Sequence, residues 1–250
     1  MSPDIVYIVY AIVAVILSGL AKGGFAGVGA LAMPIMAIGV DPVRGAAILL
    51  PILILQDAVS VWAFRRSWDA AVLKVMLPGA AIGIAIGWLF AAQVSEVAVL
   101  GALGVISVLF GFQRLWVERG NAVVLPSNAP GWVGVLFGIA SGFTSQIAHA
   151  GSPPFQMYVL PRKLPRDTLI GTTAIAFAVM NWMKVPAYAA LGQFTRTNLL
   201  STAMLVPVAV AATFAGVWLV RRVDAARFYT LIYILMILLG LKLVVDAAMA

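Results

Sequence analysis

Ten apolar stretches run through the chain, at residues 5–21, 24–39, 43–63, 70–91, 97–116, 131–148, 151–160, 168–190, 197–220 and 226–247. Apolar runs long enough to cross a bilayer thus recur from end to end of the chain. In hydrocarbon a spanning segment must satisfy its own backbone groups, so each stretch is predicted to be a helix. Eight have the length a crossing needs, about 17–25 residues. The other two, 24–39 and 151–160, are short, and each follows a glycine-rich break.

The two breaks are Ser18-Gly19-Leu20-Ala21-Lys22-Gly23-Gly24-Phe25-Ala26-Gly27 and Ser141-Gly142-Phe143-Thr144-Ser145-Gln146-Ile147-Ala148-His149-Ala150-Gly151. Both put glycines, hydroxyls and an ionisable group where lipid-compatible sequence is expected. A charge in hydrocarbon costs roughly 2.5–3.5 kcal/mol on insertion scales and persists where it faces a cavity or a partner. Glycine breaks at that depth are tolerated where the freed backbone is buried in protein or lines a polar path. The pair therefore points to a substrate route through a membrane protein.

Composition agrees. A hydrophobic fraction of 63%, a charged fraction of 10% and a mean hydropathy of +1.07 exclude an ordinary soluble domain. No polar stretch is long enough for a separate soluble domain, so residues 1–250 read as one transmembrane domain in contact with the lipid bilayer. The net charge of +7 is no sign of a nucleic-acid partner, because most of the Arg and Lys residues fall in short loops between spans. The chain has no cysteine, which removes disulfides, thiol nucleophiles and thiolate metal sites. Segment 5–21 follows Asp4 rather than a basic region and reads as a retained first span instead of a cleaved signal.

Loop charge decides how the breaks are threaded. With each break a hairpin, Arg65, Arg66, Lys74, Arg114, Arg119, Arg162, Lys163, Arg166, Arg221, Arg222 and Arg227 share one face, against Arg44, Arg196 and Lys242 on the other, 11 to 3. With each break a kink in a single crossing, the same residues divide 7 to 7 and give no orientation. The hairpin reading obeys the positive-inside rule and places both termini outside and the Arg-rich loops in the cytoplasm.

The halves also resemble each other. Ser18-Gly19-Leu20 aligns with Ser141-Gly142-Phe143, and Pro42 with Pro165 at the same offset. Repeat 1 covers about 5–117, a linker about 118–130, and repeat 2 about 131–247. Each hairpin-containing half makes an odd number of passes, so the halves must be oppositely oriented. The expected fold is an all-α polytopic protein of two inverted-topology repeats, an architecture of transporters with the site at the repeat interface.

Few polar side chains lie inside the spans. Lys22, beside Gly23 and Gly24, reads as an anion site together with the start of the next helix, where backbone N–H groups and the dipole favour negative charge. Its alternative is a lysine snorkelling to the membrane surface. His149, the only histidine, is followed by Gly151 and Ser152, with Ser145 and Gln146 near enough to hydrogen-bond an oxyanion. It either holds a proton near neutral pH or is a neutral group bonded to helix ends. On segment 168–190, Thr173, Asn181 and Lys184 fall on one helix face, with Thr172 beside them. Gln56, Asp57 and Ser60 form the matching patch on segment 43–63, where Asp57 is a salt-bridge partner for Lys22 or Lys184 or else a proton carrier. Nothing in the sequence calls for a cofactor or a metal.

These residues resemble the TauE/SafE sulfite exporter family. The matching pieces are Ala21-Lys22-Gly23-Gly24-Phe25 with Pro34, Ala46-Ala47-Ile48-Leu49-Leu50-Pro51, Gly142-Phe143-Thr144-Ser145, Ala148-His149-Ala150-Gly151 with Pro153-Pro154, Gly171-Thr172-Thr173, Asn181 with Lys184, and Tyr188 with Leu191-Gly192-Gln193. The likeness covers nearly the whole chain. It implies export or uptake of sulfite, sulfonates or related organosulfur anions across a bacterial inner membrane. The resulting expectation is a non-enzymatic secondary transporter for a small sulfur oxyanion, with Lys22, His149 and Lys184 supplying positive potential, His149 and Asp57 as proton-coupling candidates, and a homo-oligomer possible. A passive anion channel on the same scaffold remains open. An intramembrane enzyme has less support, since one histidine and one intramembrane aspartate make no recognisable catalytic set.

Overall fold

A computed structural model describes residues 3–25, 27–91, 93–118, 129–220, 222 and 226–250. Arg119, Arg221 and most of the expected linker lie outside the described residues. The described chain is helical, with no strand: α1 (Pro3–Lys22), α2 (Ala32–Gly39), α3 (Pro42–Phe64), α4 (Ala70–Ala91), α5 (Glu96–Glu118), α6 (Gly131–Ala148), α7 (Ser152–Val159), α8 (Arg166–Ala190), α9 (Arg196–Val220) and α10 (Ala226–Met249). Short 3-10 turns precede α2 at Val28–Leu31 and follow α7 at Leu160–Arg162. Seven helices, α3 to α6 and α8 to α10, are long and apolar enough to cross a membrane. The helix after the first break starts at Val28 rather than at Gly24, because Gly24 (φ 128°) and Gly27 (φ 100°) take conformations that only glycine adopts freely. Pro51, Pro78 and Pro207 lie inside α3, α4 and α9.

Both breaks turn the chain back on itself. Gly29 lies against Ala21 and Gly39 against Tyr10, so α2 runs antiparallel to α1. Gly134 lies against Tyr158 and Gly151 against Ser141, so α7 runs antiparallel to α6. The most extensive of the other helix pairs keep their pattern when α1–α5 and α6–α10 are exchanged. Helix α1 packs on α9 as α6 packs on α4; α3 packs on α9 as α8 packs on α4; α3 faces α8, and α5 faces α10.

Glycines set the closest approaches. A Cβ on Gly23 would stand 2.4 Å from the Gly216 carbonyl carbon, and one on Gly83 would stand 2.0 Å from the Ile139 oxygen. Backbones can therefore meet directly, as in membrane helix pairs where small residues replace the missing hydrophobic drive. The register fixes directions. Gly19 and Gly23 meet Ala212 and Gly216, making α1 and α9 parallel, and Gly79 and Gly83 meet Val135 and Ile139, making α4 and α6 parallel.

Helix α3 runs alongside α1 in the same direction, since Gln56 Nε2 donates to the Val15 carbonyl (3.2 Å) and Ser60 Oγ to the Lys22 carbonyl (2.5 Å). Helix α8 opposes α3, with Gly171 at Ser67 and Asn181 at Asp57. Helix α4 follows α8, its Val72 and Met76 packing near Ala176 and its Ala80 and Ile84 near Met180. It follows that α6 runs opposite to α1. The largest buried apolar cluster joins α1, α2, α3, α5 and α9 and includes Val15, Met36, Leu50, Leu103 and Ala209. Trp62, Trp132, Trp182 and Trp218 point outward from the bundle.

Candidate functional site

A cavity of about 90 Å³ lies between the two breaks and the α3–α8 crossing. At roughly 10–15 Å³ per water position, it has room for a small hydrated ion and little more. Helix α8 supplies Thr173, Phe177, Asn181 and Lys184 to its wall. Their spacing of four, four and three residues keeps them on one face of a 3.6-residue helix. The first break supplies Lys22 and Gly27, the 3-10 turn after it Gly29, the second break Ser145 and His149, and the start of α7 Ser152. The polar wall is thus drawn from both halves of the chain.

Lys22 ends α1, where its charge complements the helix dipole. Its Nζ lies 2.6 Å from Asp57 Oδ1 and 4.9 Å from the centre of the Phe177 ring. Asn181 Nδ2 donates to the other Asp57 oxygen at 2.6 Å. The Asp57 carboxylate is 2% exposed and sits behind Lys22 and Asn181, outside the cavity wall. Of the two partners open to Asp57 in the sequence, the structure pairs it with Lys22.

Lys184 is fully buried. Its Nζ lies 2.7 Å from His149 Nδ1 and 3.3 Å from the Ser145 carbonyl. His149 caps α6 in a left-handed conformation (φ 50°), and its backbone N–H bonds Ser145 O. The other ring nitrogen, Nε2, lies 2.9 Å from the Ala46 carbonyl, and the ring stacks on Tyr188. A carbonyl only accepts, so Nε2 carries the hydrogen. In neutral His149, Nδ1 is then the acceptor for the Lys184 ammonium.

The structure thus brings Lys22, Ser145, His149, Ser152, Thr173, Asn181 and Lys184 to one cavity, with Asp57 immediately behind. Six other residues read as substrate-binding from the sequence do not line it. Gly23 packs on Gly216, and Gly24 against Ile170 and Val220. Their N–H groups bond Gly19 O (2.9 Å) and Ala21 O (3.1 Å), closing the end of α1, so they are not free donors to an anion. Gln56 bonds α1 through Val15 O. Thr172 accepts from the Asp69 N–H, pinning the α3–α4 turn to α8. Gly151 O accepts from Ser141 Oγ, and Gln146 lines a separate cavity of about 170 Å³ with Tyr188 and Gln193. Sequence reasoning missed Ser18, Phe177, Gly27 and Gly29 as wall residues. For Ser18 the available signal was its place opposite Ser141 in the repeat, and for Phe177 its place on the Thr173–Lys184 stripe.

The family model described as "Sulfite exporter TauE/SafE" matches residues 11–243. The chain belongs to the TauE/SafE family. That match takes in all ten helices at least in part, and both halves of the cavity wall. No curated protein and no solved structure matches the chain. As a TauE/SafE member the protein is a multi-pass membrane protein of a transporter family, and a small anion is the substrate class which that membership suggests.

Proposed function

We propose that the protein is a secondary transporter that moves a small sulfur oxyanion, sulfite or an organosulfonate, across the bacterial inner membrane, with the cavity between the two breaks as its substrate site. The observation that carries this reading is the convergence of Lys22 from the first half with His149 and Lys184 from the second on one cavity. An anion entering it exchanges hydration for charged donors, whose hydrogen bonds are stronger than neutral ones. Ser145, Ser152, Thr173 and Asn181 complete a set of donors for several oxygens.

The exchange-symmetric packing and the opposed directions of α1 and α6 support two inverted repeats. In such transporters access alternates as one repeat rocks against the other around a fixed midplane site. The described basic residues Arg65, Arg162, Lys163, Arg166 and Arg222 follow or precede helices at one end of the bundle. By the positive-inside rule that end is cytoplasmic and both termini are periplasmic. The Lys184–His149 contact and the Lys22–Asp57 pair are the groups through which a proton would couple to transport.

Reconstituted proteoliposomes test the reading. Radiolabelled sulfite outside vesicles preloaded with unlabelled sulfite is expected to accumulate transiently, because a carrier exchanges its substrate. Flux that neither saturates nor shows counterflow identifies a channel, and no sulfite or sulfonate flux at all removes the proposal.

A further inference from the structure

Three ionisable residues line the cavity, Lys22, His149 and Lys184, and one more, Asp57, touches Lys22 from behind; no other Asp, Glu, Lys, Arg or His is found on this wall among the described residues. Their contacts limit how much charge the site carries. Lys22 and Asp57 form an ion pair at 2.6 Å and cancel. Lys184 and His149 meet nitrogen to nitrogen at 2.7 Å, with the far side of the ring committed to the Ala46 carbonyl. A hydrogen on Nδ1 facing an intact ammonium would set two donors against each other with no acceptor between them. The contact therefore accommodates at most one added proton, on the lysine or on the ring, and at most one positive charge.

With that proton bound the site has a net charge of one, and its contacts allow no more. A buried site left with an unmatched charge is strongly disfavoured, since desolvation is no longer offset by a partner. Resting on the reading of this cavity as the substrate site, we propose that it selects singly charged oxyanions, hydrogensulfite or an organosulfonate, over doubly charged ones such as the sulfite dianion or sulfate. Asp57 sets this preference. It is a specificity determinant that need not touch the substrate, acting by holding Lys22 neutralised through direct contact.

Methanesulfonate and sulfate make the comparison, since both are tetrahedral at sulfur and differ by a methyl group in place of a charged oxygen. Dissociation constants measured by calorimetry on detergent-purified protein at constant ionic strength are expected to favour methanesulfonate at least tenfold. Asp57→Asn keeps the shape and raises the site charge to two, so the ratio is expected to move at least tenfold towards sulfate. The double variant Lys22→Met/Asp57→Asn restores a net charge of one without a buried unpaired group, and its ratio is expected to return towards that of the wild type. It also serves should Asp57→Asn alone not fold. Tighter binding of sulfate than of methanesulfonate by the wild type, or an unmoved ratio in Asp57→Asn, overturns the charge rule while leaving the site in place. Binding of neither anion to folded wild-type protein overturns the site reading itself, and the charge rule with it.

Discussion

Asn181 Nδ2 donates to Asp57 Oδ2 at 2.6 Å, a hydrogen bond between the middle of α8 and the middle of α3. It ties the polar patch of one half to the polar patch of the other, 124 residues away, with both side chains about 2% exposed. Through it Asn181, on the cavity wall, and Lys22, on the same wall, share one carboxylate. A movement of either half relative to the other must break or carry this bond.

Lysine truncation tests the anion site directly. Lys22→Ala leaves the Asp57 carboxylate buried without its counter-charge and turned towards an anion, while Lys184→Ala removes the net positive charge. Each is expected to weaken methanesulfonate binding at least tenfold, equivalent to about 1.4 kcal/mol. Lys22→Arg is expected to impair binding too, because a planar guanidinium must fit between Asp57 and the Phe177 ring. Arg166→Ala, at an exposed residue whose nearest acid is 3.7 Å away, is the control. Wild-type affinity in both well-folded lysine variants would show that the anion binds elsewhere.

His149 makes binding depend on pH. Loss of the proton shared with Lys184 removes the site's one positive charge, so affinity for an anion falls as pH rises. Methanesulfonate isolates this effect because its own charge is constant. The groups facing His149 are Lys184 and the stacked Tyr188, with Lys22 on the same cavity wall and its partner Asp57 behind it. His149→Gln, which cannot take up a proton, is expected to move the midpoint of that fall by changing what Lys184 donates to. An identical profile in the variant leaves His149 a cap on α6 and nothing more.

Nine of the ten described helices were legible from the sequence to within about two residues, because an apolar stretch between charged loops has a single way to satisfy its backbone in lipid; the segment after the first break, expected from residue 24, begins at Val28. The Thr173–Asn181–Lys184 face was legible for a similar reason, since helical spacing alone aligns it. What lay beyond reach were relationships set by distant segments. Gly23 read as a free donor near an anion, but its use depends on Gly216 arriving from α9. Gln56 and Thr172 carry the right chemistry, yet the rotation of α3 and α8 turns them towards α1 and towards Asp69. The choice of Lys22 over Lys184 as the partner of Asp57 likewise rests on the depth at which α1 ends against α3.

The packing role of Gly23 has its own consequence. An added Cβ would stand 2.4–2.5 Å from Gly216 and Val217 backbone atoms, so α1 and α9 must separate. Overpacking of this kind costs about 1–3 kcal/mol. Gly192 is the useful contrast: its φ of 67° strains any other residue, but nothing lies within 4 Å of a Cβ there. Gly23→Ala is therefore expected to lower the midpoint of thermal unfolding in detergent, followed by size-exclusion chromatography, by more than Gly192→Ala. A Gly23→Ala protein as stable as the wild type would mean that α1 and α9 do not approach this closely.

Orientation in the membrane is open to a labelling test, which the cysteine-free chain makes simple. The hairpin at the first break returns the chain to its starting side before α3, so Asp41 and the α4–α5 turn lie at one end of the bundle and Arg65 and Arg222 at the other. Charge asymmetry assigns the second end to the cytoplasm. Gln93, exposed in the α4–α5 turn, and Arg65, exposed at the end of α3, are suitable reporters because neither lines the cavity. In intact cells a membrane-impermeant thiol reagent is expected to label Gln93→Cys and spare Arg65→Cys, with both labelled once the membrane is permeabilised. The opposite pattern reverses the protein in the membrane while preserving its fold. Labelling of both in intact cells would place the two turns on one side, which an antiparallel α3 and α4 cannot allow.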